Sequence, residues 1–173
     1  MNVSMQPDMK AIGQLLESGD HAAALVEAQK FEATVKAQFG IDHPSYAYAL
    51  SLLASIYLGQ QKLDEAEALY RRAMAIHEKV LGADHPDVAH SLTLLSLVYS
   101  LQRKFGEAEG GLRRALEIQT RALGDSDISV GATLMALAST CLAQGRREEA
   151  DALHERGMSI INNAMNATGR KRP

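Results

Sequence analysis

The chain has 173 residues, of which 46% are hydrophobic and 23% charged, a composition typical of one globular domain with a sizeable core. A formal net charge of -3 with both signs interspersed argues against nucleic-acid binding, and the basic residues cluster only in the terminal GRKRP. Because no apolar run resembles a signal peptide or approaches the roughly 18 residues of a membrane span, we expect a cytoplasmic protein that makes no membrane contact.

Abundant alanine and the absence of tryptophan favour closely packed helices, and the single cysteine, Cys141, excludes an intramolecular disulfide. An internal repeat organises the chain. The text GIDHPS at Gly40 returns as GADHPD at Gly82, and the same step of 42 residues reaches Gly124 in GDSDISV, where the His-Pro pair is absent. Periods of about 20 to 50 residues are typical of solenoids, in which stacked units bury each other's apolar faces. We predict a single domain over 8–165 with units at about 8–39, 40–81, 82–123 and 124–165, an N-terminal tail at 1–7 and a disordered basic tail at 166–173.

The first unit is a worn copy of the repeat. Gly19 and Ala24 stand at repeat-equivalent positions, but the first helix is short and the Asp-His-Pro element is missing. Phe31 replaces the Ala or Gly of the later units, which suits an end unit with fewer neighbours.

Each later unit contains two stretches of apolar residues at helical spacing. In the second unit, the first stretch extends from Tyr46 to Tyr57 and the second from Leu63 to Val80, before the helix-terminating Gly82. Small residues recur where the paired helices would face each other, namely Ala66, Ala108, Ala150, Ala73, Ala115 and Gly157. No segment shows the two-residue alternation of a strand. The sequence therefore predicts an all-α chain of four antiparallel hairpins, about eight helices in total.

One motif extends through the units, LGxDHPxVAxSLxxLxxxY followed by EAExxxxRALEI and LG, here from Leu81 to Gly124. With this motif the chain resembles the tetratricopeptide repeats of kinesin light chain, in the 42-residue form common among bacterial relatives, over about residues 40 to 165. The resemblance implies a right-handed superhelical α-solenoid whose first helices line a concave groove. Such a groove holds a peptide or helix of a partner protein, so the resemblance implies an interaction module or adaptor.

By helical phase, twelve side chains of the first helices escape the core stripe, and we predict that they form this partner-binding groove. They are Tyr48, Ser51, Ser55, Leu58, His90, Thr93, Leu97, Ser100, Ala132, Met135, Ser139 and Leu142. Leu97 and Leu142 have an alternative role, which is packing against the neighbouring first helix.

The paired asparagines and basic residues with which relatives grip a peptide are absent. The matching positions carry Ser51 and Leu52, Thr93 and Leu94, and Met135 and Ala136. We therefore expect neither tryptophan-acidic cargo nor chaperone tails as ligands.

The second helices carry the charges. Glu67 with Arg71, and Glu109 with Arg113, are spaced by four residues with the acid first, and we interpret them as a solvated outer face. The glycines at 110 and 111 interrupt one of these helices, either as a tolerated defect or as a flex point. Because the last unit has no obvious capping helix, a self-assembling homo-oligomer is the alternative function.

The stretch GADHPDVAH, Gly82 to His90, combines two carboxylates and two histidines and raises the question of a catalytic or metal site. The equivalent histidines His43 and His85 should lie about one helix layer apart, roughly 8 to 10 Å, whereas zinc ligands lie about 2 Å from the metal. We interpret the stretch as a joint, in which Asp84 or the nearby backbone caps the next helix, Pro86 occupies its first turn and His85 seats the joint against the preceding turn. We predict no catalytic residues, no cofactor, no metal and no enzymatic activity.

Overall fold

The computed structural model describes residues 5–169 and contains eight α-helices and no strand within that range. The helices are α1 (Met5–Glu17), α2 (His21–Phe39), α3 (Pro44–Gly59), α4 (Leu63–Leu81), α5 (Pro86–Leu101), α6 (Phe105–Leu123), α7 (Ile128–Ala143) and α8 (Arg147–Gly169). The prediction of an all-α chain of eight helices is confirmed. Residues 5–7 of the predicted N-terminal tail lie in α1 and residues 166–169 of the predicted disordered tail lie in α8, whereas residues 1–4 and 170–173 lie outside the described residues.

The chain divides into two compact halves, an N-terminal half up to Leu81 and a C-terminal half from Gly82. In the N-terminal half α1 packs against α2, α2 against α3 and α3 against α4, and in the C-terminal half α5 packs against α6, α6 against α7 and α7 against α8. Within each half, turns of only a few residues join successive helices, so neighbours are antiparallel. The division falls at the predicted boundary between the second and third repeat units.

Each hairpin turn contains one residue with left-handed backbone conformation at the same repeat position. Gly19 and Gly145 occupy it in the first and last hairpins, with φ of 79° and 82°, whereas Gln61 and Arg103 adopt φ of 61° and 62° in the others. The Lys104 amide donates to the Tyr99 carbonyl at 2.8 Å, the long bond of a Schellman turn. The turn geometry therefore repeats even where glycine does not.

The joints between hairpins correct one detail of the sequence interpretation. His85 itself caps α5, since its Nδ1 accepts a hydrogen bond from the Asp87 amide at 3.2 Å, whereas Asp84 forms an ion pair with Arg121 at 3.1 Å. His43 caps α3 in the same way, and Asp127 caps α7 through a 2.8 Å bond from the Ser129 amide. An imidazole and a carboxylate both accept this bond, so the third joint persists without a His-Pro pair.

The small repeat positions allow the close helix approach that the sequence predicts. Ala66, Ala73, Ala108 and Ala115 are fully buried. Between α7 and α8, a Cβ added at Gly157 would lie only 2.9 Å from the carbonyl oxygen of Gly131. Large side chains at these positions would force the paired helices apart.

Candidate partner-binding site

Charged residues are segregated between the two helices of the second, third and fourth hairpins. The first helix α5 contains one charged residue, Asp87, and neither α3 nor α7 contains any. Acidic and basic residues instead occupy the second helices, such as Glu109 and Arg113 on α6. The exposed faces of α3, α5 and α7 therefore present apolar and hydroxyl groups with almost no formal charge.

None of the twelve predicted groove residues is buried. Seven are exposed, including Tyr48 (44%), Leu97 (48%) and Leu142 (57%), together with Ser55, His90, Ala132 and Ser139. The half-buried members are Ser51, Leu58, Thr93, Ser100 and Met135. The residues on α3 belong to the N-terminal half, and those on α5 and α7 belong to the C-terminal half.

In the C-terminal half, an apolar pocket of about 420 Å³ lies between α5, α6 and α7, and we call it the α5–α7 pocket. Four predicted groove residues line it, namely Thr93, Leu97, Ser100 and Ser139. The other four predicted on α5 and α7, His90, Ala132, Met135 and Leu142, are not part of its lining. The remaining lining residues were not predicted from the sequence; they are Leu94, Ser96, Leu101, Phe105, Leu112, Ala136, Thr140 and Ala143.

A difference in side-chain size between α5 and α7 explains the pocket. At three lining positions α5 carries leucine, and the step of 42 residues leads to small residues on α7. The pairs are Leu94 with Ala136, Leu97 with Ser139, and Leu101 with Ala143. The shorter side chains leave space that leucines on α7 would fill. Comparison of the repeats at these positions was the sequence signal that could have revealed the pocket.

Ser96, which lines the pocket, forms an unusual contact with Gly111 where α5 packs against α6. The Ser96 hydroxyl is buried without a hydrogen-bond partner among the described residues, and a Cβ added at Gly111 would lie 2.3 Å from its Oγ. The equivalent pairs in the adjacent hairpins are Ala54 with Leu69 and Ala138 with Leu153. In the α5/α6 hairpin the larger residue of the pair is on α5: Ser96 replaces the alanine, and Gly111 on α6 leaves space for the serine hydroxyl. α6 is continuous through this position.

A charged cluster, which we call the Glu109 network, joins α6 to the start of α8. Arg146 donates to Glu109 at 2.6 Å, and Arg113 donates to Glu109 at 2.9 Å and to Glu149 at 2.7 Å. Hydrogen bonds from Arg146 and then Arg113 lower the pKa of Glu109 to about 2, and the same two groups lower the pKa of Glu149. The predicted pair of Glu109 and Arg113 is thus present, and Arg113 also reaches across to the next hairpin.

The same cluster has a spacing that could suit a metal ion, because ligand atoms of Glu109, Cys141 and Glu149 lie within 4.8 Å of one another. Both carboxylates, however, already accept hydrogen bonds from two guanidinium groups. Burial raises the pKa of the Cys141 thiol, which disfavours the thiolate that a metal requires. The two carboxylates are therefore occupied by Arg113 and Arg146, and we assign no metal to this cluster.

Comparison with known families identifies the chain's class. The tetratricopeptide repeat family model matches residues 45–118 and 105–163. The chain belongs to the tetratricopeptide repeat family. No curated protein sequence matches it.

Solved structures similar to this tetratricopeptide repeat protein include kinesin light chain-like proteins. BtubC (BKLC) from P. vanneervenii is 22% identical with a TM-score of 0.79, and the match covers 90% of this chain and 62% of BtubC. A kinesin light chain-type repeat protein described as putative, from Podosopora anserina, is also 22% identical with a TM-score of 0.79, covering 96% of this chain and 88% of the other. MamA matches at 15% identity and a TM-score of 0.64, covering 94% of this chain and 81% of its own. At these identities the likeness shows the fold: an all-α tetratricopeptide repeat solenoid of kinesin light chain type.

Within residues 5–169, none of the helices combines the length and apolar character needed to cross a membrane.

Proposed function

We propose that the chain is a protein-protein interaction module or adaptor that binds a peptide or helix of a partner protein on its first helices. One observation carries this proposal: the exposed faces of α5 and α7 are nearly free of charge and enclose the α5–α7 pocket. The centres of protein interfaces are depleted in charged residues and are built around apolar anchors in pockets. We also propose the predicted groove residues on α3, headed by Tyr48, as partner-contacting residues of the N-terminal half.

The proposal is tested by placing a charge in the proposed surface. Leu97→Glu puts a carboxylate at the pocket wall, whereas Leu123→Glu makes the same change at a leucine of α6 with nearly the same exposure, 45% against 48%. Leu97→Glu should abolish capture of a partner protein that the wild type and Leu123→Glu both retain, with unchanged helix content in circular dichroism. Crosslinks from the captured partner should map to α5 and α7. A partner that binds all three forms equally, or crosslinks elsewhere, contradicts the proposal.

Self-assembly is the second candidate, and apolar residues exposed on the last hairpin favour it. These are Ile128, Leu142, Met158 and Met165. If this hairpin pairs with another copy, the mass in sedimentation equilibrium should rise with protein concentration and Met158→Glu should reduce that rise. A monomer at every concentration contradicts self-assembly.

We further infer that the chain forms a single domain, acts in the cytoplasm, binds neither nucleic acid nor membrane, and is not an enzyme. The inference on catalysis is supported by the Glu109 network, whose carboxylates are already engaged by arginines. A general base needs a carboxylate free to accept a substrate proton.

A further inference from the structure

We propose that the partner segment is uncharged and that one bulky apolar side chain, of the size of leucine, methionine or phenylalanine, inserts into the α5–α7 pocket. This inference rests on the proposed function, because it names the chemistry of the ligand that the same surface binds. It differs from recognition of an acidic peptide or a terminal carboxylate, for which charged donors would be needed.

The first support is the absence of charge in the pocket. None of its twelve lining residues is acidic or basic. The nearby Glu109 network pairs its own acids with its own arginines, and the Arg103 guanidinium lies over the Phe105 ring at 5.5 Å from the centroid. A charged side chain inserted here would lose its hydration without gaining an ion pair, which is unfavourable.

The second support is the state of the pocket's hydroxyl groups. Thr93 donates to the Ala89 carbonyl at 3.0 Å, Ser139 to the Met135 carbonyl at 3.1 Å and Thr140 to the Ala136 carbonyl at 3.0 Å. These three donors are therefore engaged by their own helices. The Ser96 hydroxyl is buried and points at Gly111. Phosphate or carboxylate groups need several free donors, and these three hydroxyls offer none.

The third support is size. The pocket exists because Ala136, Ser139 and Ala143 replace residues that are leucine on α5. The missing volume is apolar and corresponds to leucine side chains, so a partner side chain of that type restores the packing. A volume of about 420 Å³ also lies within the range of pockets that bind ligands.

Random peptides displayed on phage provide the test, with the wild-type chain as bait. Ser139→Leu/Ala143→Leu is the pocket-filling variant, and it introduces the residues that α5 already carries at exposed positions. Ala152→Leu, at an exposed position of α8, is the matched control. Enriched peptides should share one Leu, Met or Phe among uncharged neighbours, and its replacement by Ala should weaken binding at least about tenfold. The pocket-filling variant should lose affinity by a similar factor, whereas Ala152→Leu should bind like the wild type.

Contrary results bear differently on this inference and on the proposed function. Enriched peptides with shared acidic or basic positions, or peptides indifferent to the pocket-filling variant, overturn the inference; if they still lose affinity with Leu97→Glu, the proposed function survives. Failure to enrich any peptide sensitive to a change on α5 or α7 contradicts both. A concentration-dependent dimer that the pocket-filling variant abolishes would assign the pocket to a second copy and also overturn the inference.

Discussion

Replacing Ser96 and Gly111 together with alanine should stabilise the protein, although the two residues are in contact where α5 packs against α6. The Ser96 side chain is 1% exposed and its hydroxyl has no hydrogen-bond partner among the described residues. Burial of an unpaired hydroxyl costs about 1–3 kcal/mol. A Cβ at Gly111 would collide with this hydroxyl at 2.3 Å, but its next neighbours are at an ordinary 3.7 Å. Removing the oxygen therefore makes room for the methyl group.

The expected gain is the sum of two effects. Ser96→Ala removes the unpaired hydroxyl, which we set at about 1 kcal/mol after allowance for the small void that remains. Gly111→Ala adds the helix propensity of alanine over glycine, again about 1 kcal/mol. The double variant should unfold with a free energy about 2 kcal/mol higher than the wild type. Gly111→Ala alone should raise the free energy of unfolding by less than it does in the Ser96→Ala background, because the contact couples the two sites.

Urea unfolding followed by circular dichroism measures these differences for the four members of the cycle. Gly110→Ala is the control, since a Cβ there meets no atom within 4 Å. The Gly110→Ala substitution should raise the free energy of unfolding by about 1 kcal/mol whether position 96 carries serine or alanine. Equal gains from Gly111→Ala with and without Ser96→Ala would refute the reasoning, because the contact would then have no energetic consequence. Hydrogen exchange gives an independent check: uniform protection from Glu107 to Leu116 contradicts a flex point at these glycines.

Three further predictions test other parts of the architecture by urea unfolding. Gln61→Gly should stabilise by about 1 kcal/mol, because glycine adopts the observed φ of 61° without a Cβ penalty; a loss of stability contradicts this reading. His85→Ala should cost about 1 kcal/mol through loss of the α5 cap, whereas His85→Asp should keep the cap as Asp127 does; equal losses would exclude capping. Because the pKa of Glu109 is lowered from 4.5 to about 2 in the folded chain, its ionised carboxylate stabilises the fold fully above about pH 4.5. This contribution to the free energy of unfolding should be lost as the pH falls from about 4.5 to 2. Arg146→Ala should reduce that acid sensitivity, and an unchanged pH profile counts against the network.

The helices and hairpins could be predicted from the sequence because they depend on local periodicity. Apolar residues at helical spacing define the buried stripe of each helix, and a 42-residue step predicts that the same hairpin recurs. The small residues at helix contacts, such as Ala108 and Gly157, could also be predicted because they recur with the repeat. Only short side chains at these positions permit the paired helices to approach closely. The solvent-accessible phase of the first helices also followed from this periodicity.

Contacts between side chains on different helices were decided only by the tertiary structure. Arg146 reaches Glu109 across 37 positions of the chain, and no local pattern encodes that distance. The cap by His85 depends on which way an imidazole nitrogen points, so the motif alone suggested Asp84 instead. Repeat spacing determines that α5 and α7 exist and which faces they bury. The distance between the side chains of α5 and α7 leaves the α5–α7 pocket open. Repeat spacing does not determine that distance, because it depends on how both helices pack against α6.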